Sequence, residues 1–117
     1  MTFVRTLLGQ PGYDVSTPTQ LTANVNDYGP STLGIWRLSS DASRNITGIV
    51  AAAVDGQLLL LLNVGAQNIV LTNQDALSVA ANRILTGTGA NVTLAADDTA
   101  LLVYDLTTAR WRITNTY

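Results

Sequence analysis

Residues 57–63 read Gln57-Leu58-Leu59-Leu60-Leu61-Leu62-Asn63, five leucines unbroken between Asp55-Gly56 and Asn63-Val64-Gly65. A strand with one wet face alternates apolar and polar residues, and this run does not alternate. As a strand it therefore needs cover on both faces. The rival reading, a buried helix, fails on length. Seven residues between glycine-containing turns are too few for a stable helix and ordinary for a strand. Burying five leucines contributes roughly 1.5–3 kcal/mol each. A short chain covers one face of such a strand with its own core, and neighbouring subunits are the simplest cover for the other. The run thus points to a β-protein closed by oligomerisation.

Composition agrees. The chain has 117 residues, enough for one domain with a modest core, and it opens on Met1 as a complete gene product would. Only 12% of residues are charged, about half the usual share. All six cations are Arg and all eight anions are Asp, with no Lys, Glu or His. Lys and Glu are the usual solvent-facing residues of helices, so little exposed helix is expected. Thr and Asn take the polar positions, which suits strands and turns. A surface this poor in charge is expected to be covered in part by other chains.

Several function classes drop out. A net charge of −2 gives no attraction to nucleic acid or anionic membranes. Without Cys there are no disulfides, zinc–thiolate sites or thiol nucleophiles. Without His the commonest general base and metal ligand is missing. Met1 to Leu8 is too short for a secretory signal, and no apolar stretch approaches a membrane span.

Along the chain, residues 2–8 alternate weakly and suggest a first strand. Residues 9–30 hold all three prolines and three of the nine glycines, the composition of an extended arm with turns at Gln10-Pro11-Gly12-Tyr13 and Tyr28-Gly29-Pro30. Such an arm either lies across a partner or packs on its own domain. Residues 31–38 resume β character. Then Asn45-Ile46-Thr47, Asn68-Ile69-Val70 and Asn91-Val92-Thr93 recur at a spacing of 23, each followed by a turn and an apolar run. The spacing suits one hairpin per unit, so residues 31–117 read as a β-domain of three hairpin-like units behind an arm at 1–30. A closing hairpin brings Tyr104 near Trp111. Leu85-Thr86-Gly87-Thr88-Gly89-Ala90 lacks the Lys-Ser/Thr of a phosphate loop and reads as a turn.

The series Gly48-Ile49, Asp55-Gly56, Leu61, Asn63, Gly65, Asn68-Ile69, Leu71, Asn82-Arg83-Ile84, Leu94, Tyr104-Asp105 and Arg110-Trp111 resembles a small β-module of tailed-bacteriophage structural proteins. Tail fibres, tail spikes, baseplate parts and head-decoration (cement) proteins carry such modules. The resemblance spans Gly48 to Ile113, and the stretch before Arg44 has no counterpart in it. It implies a trimeric, β-rich, non-enzymatic virion part.

The expectations are therefore these. The fold is all-β, a single small antiparallel β-sandwich or barrel-like domain with an extended N-terminal arm, in an intertwined homotrimer. Leu58, Leu60, Leu62, Trp36 and Trp111 form core or trimer interface. Asp105 and Arg110 form a structural ion pair across the last hairpin, and Arg83 pairs with one of Asp75, Asp97, Asp98 or Asp105. The function is that of a capsid cement protein on the outer shell of the virion, binding the major capsid protein through Pro11, Tyr13, Pro18, Leu21, Val25, Tyr28 and Pro30. The alternative is a tail-fibre or tail-tip receptor-binding module, in which Trp36, Tyr104, Trp111 and Tyr117 stack on a host surface glycan. No catalysis, cofactor, metal, nucleic acid or membrane partner is expected. Adjacent Asp97 and Asp98 lack the opposed geometry of a glycosidase pair, and the other aspartates sit in turn-like surroundings.

Overall fold

Two β-sheets pack face to face around one apolar core. The computed structural model describes residues 14–116. The strands are β1 (Val15–Ser16), β2 (Ile35–Leu38), β3 (Arg44–Ile46), β4 (Leu58–Asn63), β5 (Ile69–Leu71), β6 (Ile84–Leu85), β7 (Val92–Leu94), β8 (Thr99–Asp105) and β9 (Arg110–Thr116), with one 3-10 turn at Ala80–Asn82. Six form one sheet in the order β1-β2-β4-β8-β9-β6, and three form the other in the order β3-β5-β7.

The 23-residue recurrence has a structural meaning different from the expected hairpins. Its three Asn-containing stretches are β3, β5 and β7, the whole of the small sheet, while the apolar runs that follow them are β4, β6 and β8 of the large one. From β2 to β8 the chain changes sheet at every step. β2 pairs with β4, and β3 with β5, in parallel, whereas β5 pairs with β7, and β4 with β8, antiparallel. The sheets are therefore mixed rather than antiparallel. Only β8 and β9 follow one another as a hairpin within one sheet. A register shift there leaves Thr114 without a partner on β8, and its hydroxyl donates to the Leu101 carbonyl at 2.9 Å.

The leucine run is β4, the third strand of the large sheet. Successive side chains alternate faces, and the buried members are Leu59, Leu61 and Asn63. Leu58, Leu60 and Leu62 point away from the core, so of the two places expected for them, core or trimer interface, they do not take the first. Among the described residues, the core covers one face of the run and leaves the other exposed or half-buried. Beside Leu59 and Leu61 the core holds Trp36, Leu38, Ile46, Ile69, Leu71, Ile84, Leu94, Leu102, Tyr104 and Trp111. Asn63, almost inaccessible, is fully used: its amide donates to the carbonyls of Gln67 and Leu94, and its Oδ1 accepts from Gly65 N–H.

Residues 14–30 belong to this fold. β1 lies parallel to β2, and Leu21, Val25 and Tyr28 each bridge to Ser40, Ile46 and Ile49 in turn. Asp27 fastens the segment. Its backbone N–H donates to Ser78 Oγ, and its carboxylate accepts from Val79 N–H and the Asn82 amide. The Asn82 amide, then the Val79 N–H, hold the Asp27 carboxyl below the ordinary carboxylate range.

Candidate functional site

The outer face of the six-stranded sheet is the first surface that a partner could use. In register across four strands lie Val15, Ile35, Leu60 and Leu101, all on the side away from the core. One step along the strands come Leu58 and Val103, and in the other direction Leu62. Val15 and Leu58 are 51% and 41% exposed, and the other five are half-buried by one another. Charge is confined to the borders of this face. Arg37 lies at one corner, and Asp105, Arg110 and Arg112 lie at the other.

The second surface is a cleft of about 310 Å³ at one end of the sandwich, between the start of β2 and β4 and the segment 49–54. It is lined by Leu33, Val50, Val54, Leu58, Trp36 and Trp111, with Ser31, Thr32 and Gln57 as the polar side chains among the described residues. Among the described residues no charged side chain lines it. Its volume is at the small end of the range for ligand pockets.

The aromatic residues expected to stack on a glycan are placed otherwise. Trp36, Tyr104 and Trp111 are core residues, none more than 3% exposed. The Trp36 indole donates to the Leu33 carbonyl at 2.8 Å and meets Tyr28 edge-on. The Trp111 indole donates to the Ile49 and Val50 carbonyls and meets Tyr104 edge-on, while the Tyr104 hydroxyl donates to the Ala81 carbonyl. Each polar end is satisfied, and what little of Trp36 and Trp111 is accessible lines the cleft. Tyr117 lies outside the described residues.

The arm residues are also spent on the domain. Leu21 is buried, Val25 and Tyr28 pack against the core, Pro18 is half-buried and Pro30 is exposed. Pro11 and Tyr13 lie outside the described residues.

The expected ion pair is shifted by two residues. Asp105 and Arg110 are direct neighbours in register, yet the salt bridge runs from Asp105 Oδ2 to Arg112 Nε at 2.8 Å. Arg110 instead donates from Nε to Gln74 Oε1. Residues two apart on a strand share a face, and the long guanidinium stem reaches back along it. Arg83 likewise donates to a carbonyl, that of Ser78, rather than to a carboxylate. Sequence spacing identified the hairpin but could not rank two arginines on one face.

The Arg112 guanidinium, aided by Thr108, holds the Asp105 carboxyl below the ordinary carboxylate range. Its contribution to stability is therefore present above the unfolded-state pKa and lost as pH falls through the lower folded value. Carboxyl-carbon NMR titration is expected to show Asp105 moving up to the ordinary range in Arg112→Ala and staying low in Arg110→Ala. A shift in the second variant alone would return the pairing to Arg110.

Six of the eight aspartates hold local structure. Asp27, Asp55, Asp75, Asp98 and Asp105 accept backbone N–H groups, and Asp41 takes Arg44. Among the described residues no three acidic side chains converge as metal ligands, and no helix is long and apolar enough to cross a membrane.

A family model described as a phage depolymerase C-terminal beta sandwich domain matches residues 17–112. No curated protein and no solved structure matches the chain.

Proposed function

Since the chain belongs to the phage depolymerase C-terminal beta sandwich domain family, and is thereby a phage structural module of the virion, we propose that it serves in the tail, as a non-catalytic module of a tail fibre, spike or tip. The family match over residues 17–112 carries this reading. It extends back to residue 17, inside the arm at 1–30 that the cement reading assigns to shell contact. Two further observations support it. Leu21, Val25 and Tyr28, offered for shell contact by the cement reading, turn into their own domain. Six of the eight carboxylates are engaged in turns and ion pairs: Asp27, Asp41, Asp55, Asp75, Asp98 and Asp105.

The role is mechanical. A sandwich whose strands change sheet at each step ties every strand to neighbours distant in sequence, which resists unravelling from either end. If a host glycan is engaged, the uncharged cleft bordered by Ser31, Thr32 and Gln57 is the concave surface open to it, in place of an aromatic stacking face.

Immunogold labelling of intact virions, with the chain's copy number counted by mass spectrometry against the major capsid protein, tests the assignment. Gold at the tail with a copy number of a few per cent of the capsid protein is expected. Gold over the head at near-equal copy number would overturn the tail reading in favour of a shell component.

A further inference from the structure

We propose that the cleft between β2, β4 and the segment 49–54 is the seat of this chain's own Leu7 and Leu8. Small residues hollow the cleft out, Gly29, Ala51, Ala52 and Ala53, and larger apolar ones stand around them. Nine large apolar side chains are exposed among the described residues, and four of them, Leu33, Val50, Val54 and Leu58, lie in this one place. Apolar exposure grouped in this way marks a surface made to be covered. At about 310 Å³ the space is at the lower limit of ligand pockets and suits a few aliphatic side chains.

The place where the described chain begins selects the occupant. The Asp14 carbonyl accepts the Ile35 N–H, and Val15 pairs with Ile35 as β1 runs parallel to β2. The chain before Asp14 therefore arrives at the starting end of β2, the end that carries the cleft residues Leu33 and Trp36. β4 starts at the same end, with Leu58 in the cleft. Six residue steps separate Leu8 from Asp14, a reach of up to about 20 Å. Leu33 is only two residues along the chain from Ile35, so the cleft is well within that reach. Gln10-Pro11-Gly12-Tyr13 supplies a turn to fold the chain back over it. Chemistry selects the same occupant. Among the described residues no charged side chain lines the cleft, and residues 1–13 hold a single charged side chain, Arg5, against Phe3, Val4, Leu7 and Leu8. A guanidinium has no countercharge in the hollow. The adjacent leucines fill it and Arg5 stays outside. A glycan enters such a cleft only by displacing them.

Engineered cysteines test this on the full chain, which has none of its own. Val54→Cys, at a cleft position 62% exposed, is combined with Leu7→Cys or with Leu8→Cys. In the control Val64→Cys, exposed just past the far end of β4, takes the place of Val54→Cys. Under mild oxidation the cleft pairs are expected to close an intramolecular disulfide, seen as a faster band on a non-reducing gel, and the control pairs to stay reduced. Alkylation of Val54→Cys alone is expected to speed up about tenfold when Leu7→Asp and Leu8→Asp are added, as for a segment seated about nine-tenths of the time. A cooperative melt of each variant confirms that it is folded. Disulfides that link two chains would give the cleft to a second copy. Equal alkylation with and without the added aspartates would leave it open to an external ligand, and control pairs that oxidise as readily as the cleft pairs would remove the seat altogether. Each of these results would overturn the proposal.

Discussion

Replacing Trp111 by Ala is expected to lower the unfolding free energy by about 3–5 kcal/mol, the usual cost of emptying a large aromatic site in a core. Trp111 sits at the junction of three parts of the fold. It is on β9, its ring meets Tyr104 of β8 with centroids 5.1 Å apart, and its indole N–H reaches the carbonyls of Ile49 and Val50 in the crossing segment after β3. Truncation leaves a void beside Tyr104 and two carbonyls without their donor. A domain of this size has roughly 5–15 kcal/mol in all, so a large share would go. Trp111→Phe keeps most of the ring volume and the aromatic contact but loses the N–H, and should cost only about 1–2 kcal/mol. Urea unfolding of both variants checks the order. If Phe were as damaging as Ala, hydrogen bonding rather than packing would dominate at this site.

Gly48→Ala is expected to cost roughly 3 kcal/mol, from overpacking at about 1–3 kcal/mol and the loss of a buried hydrogen bond at about 1 kcal/mol. A Cβ at position 48 would lie 2.5 Å from Ser78 Cβ and 2.7 Å from the Asn82 carbonyl, and against Ser78 Oγ. None of these can swing away cheaply. Ser78 is buried and exchanges a hydrogen bond with Thr47, while the Asn82 carbonyl accepts from Ile49 N–H. The same cluster holds Asp27, so the 14–30 segment should loosen with it, seen as faster amide exchange at Asp27 and Val79. Gly65→Ala serves as the control, since its added carbon would come no closer than 3.1 Å to Ser39 Cβ and 3.3 Å to Ser39 Cα. Equal melting temperatures for the two variants would remove close packing as the reason for Gly48.

The all-β class, the strand at 58–63 and the final hairpin were legible in the sequence because they rest on local chemistry. Alternation, turn residues and the absence of Lys and Glu all act within a few residues. The recurrence of Asn45, Asn68 and Asn91 was also visible, and it marked real strands. What a period of 23 residues does not contain is the partner of each strand. A hairpin and a crossing to the opposite sheet use the same strands and similar turns, and only the summed burial of both sheets chooses between them. The leucine run shows the same limit. Five identical side chains carry no phase, so the face that turns inward was set by neighbours: Leu59 and Leu61 face the core because the registers with Trp36 on β2 and Leu102 on β8 put them there.

The site followed the same division. That Tyr104 and Trp111 meet was readable from hairpin spacing, and that Asp105 needs an arginine was readable from charge. Which arginine, and that the indole rings are inside rather than out, depended on strand faces. Residues 14–30 have the prolines and small polar residues of a free arm, and composition alone gave no sign of attachment. They are held by backbone bridges to residues 40–49 and by the single carboxylate of Asp27. Composition and periodicity determined that this protein is a β-domain, and the leucine run that one of its strands carries apolar side chains on both faces. Tertiary structure decided which surface is left over, because side-chain alternation along a strand becomes a face only when its register to the neighbouring strands is set.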